Sequence, residues 1–523
     1  MTRLPGITET AKCLLCLALV SVIAHSTARA AETPVALGSQ RHMFIDDMLV
    51  SNRQNVTFRV HPPELRTTML RDERPWENIS EYSCVIDDNR KEYKMYYGNT
   101  GKLNGVCLVT SKDGINWERP TLGIHEFDGS KENNIVIDGV STGSVFFDPH
   151  DPDPSRRYKY FACQIADDKP DTKTTEGMVI YTSPDGIHFT KNEVVLLPFN
   201  ADSQAVMFWD HYINKYVCYF RGSTEETGRI VVRGETDDPM KPWPYTPSPN
   251  PNWHNHEIPF VSTELPTVLK SDADDPSDTD IYGNQVFLYP WAYKVYLAFP
   301  TCYYHYRGDR TYMSPIGPGN VGVGEVQLAV SRDGIKWTRY RRPQYIKHGW
   351  YQEHYCYWPW AFQGMVRGDN KIYQYVRIRP TTHGGGEFMK DGKRLFMQVA
   401  IFEQQPDRFV GAEFDYKGGT LTTEPFTFQG NRLSLNVDTG GMGEGRVAFL
   451  TADGKPLPGF DTKDCDIVNG DWFDKTVSWN RGKNDVSSLA GKPVRLRFEM
   501  RGAVLYALQF IRALESAAPG GNQ

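Results

Sequence analysis

Acidic residues that could work as a pair are spread along the whole chain, standing where polar residues give way to β-rich runs. Glu77 and Glu81 precede Cys84-Val85-Ile86, Asp202 and Gln204 precede Val206-Met207-Phe208, and Asp280 and Tyr282 precede Val286-Phe287-Leu288. Glu353, His354 and Trp358 precede the run that starts at Gly364. A further pair, Asp46 and Asp47, interrupts the apolar segment 44–50. The segment reads as a strand, so alternation sends one Asp toward each face, and an Asp facing an apolar channel has to be paired, metal-bound or functional. Asp46 is read as the inward one, narrowly ahead of Asp47. Glycosidic cleavage needs one carboxyl group to protonate the leaving oxygen and a second to activate water or attack the sugar, and crowding raises the pKa of whichever serves as the acid. Asp46, Asp47, Asp202, Asp280 and Glu353 are the catalytic candidates. The plainer alternative, about even for any one position, is that an acid before a strand is a turn former.

Groups suited to holding a sugar accompany them. Trp76, Glu81, Gln204, Arg221, Tyr282, His305, Trp358 and His383 are the substrate-binding candidates. Rings stack on sugars, and Arg221 suits a carboxylate or sulfate on the substrate, or else a local acid. Trp291 and Trp350 are also stacking candidates, with core packing as the alternative. His254 and His256 would share one face if extended, but no third ligand accompanies them. No metal or cofactor is therefore expected, a structural or channel ion excepted. Lys and Arg number 58 against 64 Asp and Glu, a net charge of −6, which argues against nucleic acid as partner. The expected partner is a carbohydrate, and the oligomeric state is left open.

These residues converge only if the fold brings distant segments together, and an internal repeat supplies the means. A β-rich run, a turn and a tyrosine-rich return recur around Tyr93, Tyr158, Tyr216, Tyr293 and Tyr373. A second signal, Ser-x-Asp-Gly followed by an aromatic residue, recurs at Ser111, Ser183 and Ser331. Two hairpin types in alternation, without helical periodicity, predict a five-bladed β-propeller over residues 31–415. In such a ring the first strand of each blade lines the channel, so the residues just before it meet at one mouth. From 416 to 523 the period-two runs at Arg432, Arg446, Pro493 and Leu505 predict a C-terminal β-sandwich in an accessory role.

Arg3 and Lys12, the apolar run from Cys13 and the triplet Ala28-Arg29-Ala30 have the order of a secretory signal over residues 1–30. A mature protein beginning near Ala31, secreted or periplasmic and free of the membrane after cleavage, is expected. Cys84, Cys107, Cys163, Cys218, Cys302, Cys356 and Cys465 remain, an odd and scattered set that predicts few disulfides or none.

Several of these stretches together resemble a group of secreted proteins abundant in planctomycetes and related polysaccharide degraders. They are the Phe44-Ile45-Asp46-Asp47 opening, Asp202-Ser203-Gln204 leading to Phe208-Trp209-Asp210, the Ser-x-Asp-Gly loops, and the terminal Asp464-Cys465, Gly470-Asp471 and Leu505-Tyr506. That group is similar to the five-bladed propeller superfamily of the invertases, arabinanases and xylosidases. The resemblance implies a base or nucleophile at Asp46 or Asp47 and an orienting Asp202. Its Glu proton donor has no matching motif here, leaving Glu264, Glu353 or Asp280 for that role, and the invertase opening motif is missing. The expected activity is glycoside hydrolysis. A glycoside phosphorylase and a non-catalytic glycan-binding propeller are the alternatives.

Overall fold

The computed structural model describes residues 33–87, 92–164, 177–199, 201, 205–224, 228–245, 265–306, 322–351, 354–383 and 395–512. Residues 1–30, Asp202, Gln204, His254, His256, Glu264 and Glu353 lie outside them, as does the side chain of Glu81. Strand accounts for 51% and helix for 2%, so the fold is all-β.

Each tyrosine-rich hairpin belongs to its own antiparallel sheet. Sheet one runs Ile79–Asp87, Tyr93–Thr100, Asn104–Ser111, Ile135–Asp138, and sheet two runs Ser144–Phe147, Tyr158–Gln164, Gly177–Ser183, Thr190–Lys191. Sheet three runs Val206–Asp210, Lys215–Thr224, Gly228–Thr236, Thr267–Leu269. Sheet four is split: Thr279–Ile281, Thr301–His305 and Gly322–Val326 form one half, and Phe287–Leu288, Tyr296–Ala298 and Ala329–Ser331 the other. Sheet five holds Trp358–Ala361, Ile372–Arg379 and Gln398–Gln404, and takes its outermost strand, Glu64–Arg71, from the far end of the chain. Neighbouring sheets touch in order from one to five, and strands of sheet five return to Ile79–Asp87, where Cys84 and Gln363 bridge in parallel.

Tyrosines tie these sheets together at the Ser-x-Asp-Gly turns. In each turn the serine oxygen accepts the glycine N–H at 2.9 Å, and the Asp accepts two further backbone N–H groups. The glycines sit at φ +74, +79 and +68, where a side chain is strained. The glycine carbonyl then accepts a hydroxyl from an adjacent sheet: Tyr96 to Gly186 at 2.8 Å, Tyr219 to Gly334 at 2.9 Å, and Tyr375 to Gly114 at 2.7 Å, which joins sheet five to sheet one. A Cβ at Gly186 would lie 2.4 Å from the Tyr96 hydroxyl oxygen. Gly186→Ala is therefore expected to cost about 2 kcal/mol and Tyr96→Phe about 1 kcal/mol, with the double variant losing less than the total. Urea midpoints of the three proteins check this.

Two six-stranded sheets complete the fold. One carries Val35–Gly38, Phe426–Phe428, Val494–Arg501, Gly419–Thr423, Val50–Gln54 and Glu444–Thr451. The other carries Asp471–Thr476, Arg432–Asp438, Ala503–Ile511, Val410–Phe414, Val56–Val60 and His42–Met43. They pack through rings: Phe428 stacks on Phe510 with centroids 3.8 Å apart, and Phe44 meets Phe498 edge-on at 5.9 Å. The expected division at 415/416 thus cuts across these sheets, because strands within 35–60 pair with partners beyond 410 and no local pattern announces such distant pairing. The seven cysteines among the described residues are buried free thiols, and burial pushes the Cys84 thiol up to about 12.

The joint between the two parts, which share an apolar core, also holds buried polar groups. Asp407, in the turn after Gln398–Gln404, is fully buried and ion-paired with Arg41, and it accepts the Tyr289 hydroxyl at 2.7 Å. Nearby His42 is buried with Nε2 3.0 Å from the Leu37 carbonyl oxygen, and burial pulls its pKa down to about 4 despite that carbonyl. The unfolded chain, with the ordinary 6.5, takes up the proton first as pH falls. The associated stability is present above pH 6.5 and lost on the way down to 4. At pH 5 the loss is about 2 kcal/mol, read as a falling melting temperature between pH 7 and 5.

Candidate functional site

Sheets three, four and five bring several of the anticipated residues into one cluster. Asp280 pairs with Tyr303 across sheet four, and alternation puts Asp280 and Tyr282 on one face with Tyr303 and His305. The third strand opposes Tyr303 and His305 with Gly324 and Gly322. A Cβ on Gly324 would lie 3.0 Å from the Trp358 ring, so the glycine lets that indole lie against the backbone. Trp358 and Trp360, two residues apart at the start of sheet five, point to the same side and are buried. Gly283 admits the Trp360 ring in the same way. From sheet three come Arg221 and Arg229, which share a face because Arg229 pairs with Ser223, two residues after Arg221. Arg229 stands 4.5 Å and Arg221 5.1 Å from the centre of the Tyr282 ring. His383 meets the Tyr282 hydroxyl at 3.3 Å, with its ring 4.9 Å from Tyr303 and 5.1 Å from Trp358.

Asp280 is the acid of this cup. One oxygen, Oδ2, accepts from Arg229 Nη1 at 3.0 Å and lies 3.0 Å from His305 Nε2. The other, Oδ1, is buried and has no hydrogen-bond partner among the described residues, and the same holds for the donor Trp358 Nε1. An open acceptor and an open donor suit a group that both gives and takes hydrogen bonds, as a hydroxyl does. Burial pushes the Arg221 guanidinium below its ordinary value; Tyr282 and Tyr82 act in the opposite sense, and Arg229 adds like-charge repulsion. Among the described residues no group of three His, Cys, Asp or Glu side chains could hold a metal ion.

Asp280, Arg221, Tyr282, His305, Trp358 and His383 are therefore together, while other candidates stand elsewhere. The strand expected over 44–50 is a 3-10 turn at Asp47–Leu49, and Asp46 caps it by accepting the Met48 N–H at 3.2 Å. A short polar side chain that bonds its own backbone favours such a turn over an extended run. Asp46 is held by Arg332 at 3.1 Å, and Asp47 by Arg53 at 2.8 Å. Arg332 also binds the Tyr293 carbonyl, at the far end of sheet four from His305. Trp76 donates to Asn134 at 3.0 Å and packs edge-on against Phe127, a role in the body of sheet one. Glu77 is saturated by Arg119 at 2.8 Å, Tyr97 at 2.7 Å and two backbone N–H groups. Trp291 lies at the joint, edge-on to Tyr289 and facing Arg367. Arg229 and Trp360 were not anticipated, although each lies on the same face as a candidate two residues away, directly or through the strand pairing.

No family model matches this chain, and no curated protein does. Among solved structures it is similar to an N-acetylgalactosamine deacetylase from F. plautii at 11% identity, covering 67% of this chain and 96% of that one, with a TM-score of 0.41. A thermostable family-43 glycoside hydrolase matches at 12% identity over 66% and 96% of the two chains, with a TM-score of 0.40. A Bombyx mori family-32 β-fructofuranosidase matches at 11% identity over 87% and 95%, with a TM-score of 0.37.

Proposed function

We propose that the chain is an exported glycoside hydrolase acting on a poly- or oligosaccharide, built as a five-bladed β-propeller with an accessory β-sandwich. Sheets one to five are the blades, Glu64–Arg71 completes the fifth, and the two six-stranded sheets are the sandwich. The cup lies at one mouth of the channel. The observation that carries this reading is Asp280, a buried carboxylate with Oδ2 clamped and Oδ1 open amid aromatic rings. A sugar hydroxyl or a water can donate to Oδ1, and a ring can lie against Tyr282, which is only partly buried. Asp280 is the base or nucleophile, and Asp202 or Glu353 supplies the second carboxyl group. A separation of about 5 Å between the two makes the enzyme retaining, and about 6.5–9.5 Å makes it inverting. The leader over 1–30 directs export, and the mature chain starts near Ala31.

The test is chromatographic detection of sugars released from arabinan, xylan, galactan and fructan by the mature chain. Release that Asp280→Asn abolishes supports the reading, and no release from any of them counts against it. A second reading gains from the cluster itself, since Arg221, Arg229, His305 and His383 beside one acid suit phosphorolysis. A sugar 1-phosphate formed only when inorganic phosphate is added would select it. Binding that persists in Asp280→Asn, without release by the unmodified chain, would select glycan capture instead.

A further inference from the structure

A cavity of about 440 Å³ lies at the joint, and none of the cup's residues lines it. Its walls come from the turn 289–293 of sheet four, from Arg367 beside sheet five, and from Phe473 and Gln509 of one six-stranded sheet. Tyr212, in the turn of sheet three, completes them. Two cations stand over its rings: Arg41 lies 4.1 Å from the centre of Phe473, and Arg367 lies 5.7 Å from Phe473 and 5.4 Å from Trp291. They differ in what neutralises them. Arg41 is ion-paired with Asp407 and donates to the Phe473 carbonyl at 2.9 Å. The partly buried Arg367 makes no ion pair and no side-chain hydrogen bond among the described residues, and its guanidinium rests against the two rings alone. Asp407 is already taken by Arg41 and the Tyr289 hydroxyl, and no Asp or Glu lines the cavity. One positive charge is left over.

The lining also holds hydrogen-bonding groups with capacity to spare. The Tyr212 oxygen accepts the Lys294 N–H at 2.8 Å and keeps its own proton to donate. Gln509 uses its amide N–H on the Ser39 carbonyl at 3.0 Å, which leaves Oε1 as an acceptor. The Tyr293 hydroxyl has no partner among the described residues. An apolar acid would satisfy Arg367 and leave these groups unpaired, whereas a neutral sugar would satisfy them and leave Arg367 without a counter-charge. We infer that this cavity is a second binding site, for a saccharide unit that carries an oxyanion, a carboxylate or a sulfate, set against Arg367 with the sugar ring against Trp291. The guanidinium fork takes either oxyanion, and an indole face takes the apolar face of a sugar. The site shares no residue with the cup and does not depend on its chemistry. A unit held there touches sheets three, four and five and a six-stranded sheet at once, so its binding stabilises the joint by mass action.

The test is calorimetric binding of four probes to the full chain, with the melting temperature read alongside: digalacturonate, galactobiose carrying one sulfate, neutral galactobiose, and benzoate. At least one charged disaccharide is expected to bind on the order of tenfold more tightly than neutral galactobiose, the worth of a charge-assisted pair, and to raise the melting temperature. Whichever does so names the oxyanion. Arg367→Gln is expected to abolish that preference and to melt close to the unmodified chain when unliganded, since it breaks no ion pair. Tyr293→Phe deletes one hydroxyl and no charge, and is expected to weaken the charged and neutral disaccharides alike, severalfold. A preference that survives Arg367→Gln, or affinities that Tyr293→Phe leaves as they were, puts the ligand elsewhere, the cup included, and overturns the site. Equal affinity for charged and neutral disaccharides overturns it too, as does benzoate binding as tightly as the charged sugars or no binding of any probe. The reading of the cup is tested by Asp280→Asn and stands apart from all of these results.

Discussion

If the chain releases sugar as proposed, Asp280→Asn is expected to lower that release on the order of a thousandfold, the range set by loss of a positioned acid–base group. The amide keeps the shape of the side chain and can still accept from Arg229, so the cup persists and the variant melts close to the unmodified chain. Asp280→Ala is a harsher change, because it leaves the Arg229 guanidinium, 8% exposed at its side chain, without this counter-charge. The pair of variants separates chemistry from structure: both lose activity, and the alanine form alone loses stability. Equal activity in Asp280→Asn and the unmodified chain would remove Asp280 from the reaction. His305→Ala is the companion measurement. His305 touches Oδ2 and orients the carboxylate, so its loss should shift the pH profile and cost less than the loss of Asp280.

The largest expected effect on stability lies at the joint. Asp407→Ala is expected to destabilise by about 4 kcal/mol, since it strands the Arg41 charge in a buried place and removes the acceptor of the Tyr289 hydroxyl. Asp407 also sits at φ +66, where Asp is tolerated better than Ala. Asp407→Asn keeps that tolerance and an acceptor, and should lose about half as much. Denaturant unfolding checks both values. It also asks whether sheets one to five and the two six-stranded sheets still come apart in one step, as their shared apolar core implies.

What the sequence disclosed was local. The tyrosine-rich hairpins and the Ser-x-Asp-Gly turns could be read because each is written within a few residues, and the strands near Arg432, Arg446, Pro493 and Leu505 stand where period-two alternation put them. The meeting of Asp280, Tyr282 and Trp358 follows from one topological idea, that strand approaches meet, whereas Arg221, His305 and His383 were legible only as residue types suited to a sugar, and Glu77, from the first approach, stays in sheet one. Asp46 and Asp47 misled because an apolar run around two acids reads equally well as a strand or as a capped turn, and the deciding partner, Arg332, lies far away in the chain. Arg229 needed the register of Ser223, which sequence alone does not fix. The membership of strands within 35–60 in the two six-stranded sheets was hidden for the same reason.

One consequence reaches back to synthesis. The strand Glu64–Arg71, which completes sheet five, leaves the ribosome early, whereas its partner Gln398–Gln404 follows roughly 330 residues later, about half a minute at ordinary elongation rates. Over that interval the early strand's backbone edge is unsatisfied and open to other chains. A holdase, or passage through a translocation pore before folding, therefore suits this molecule, and a permuted gene that places the two strands next to each other should give a higher yield of native protein.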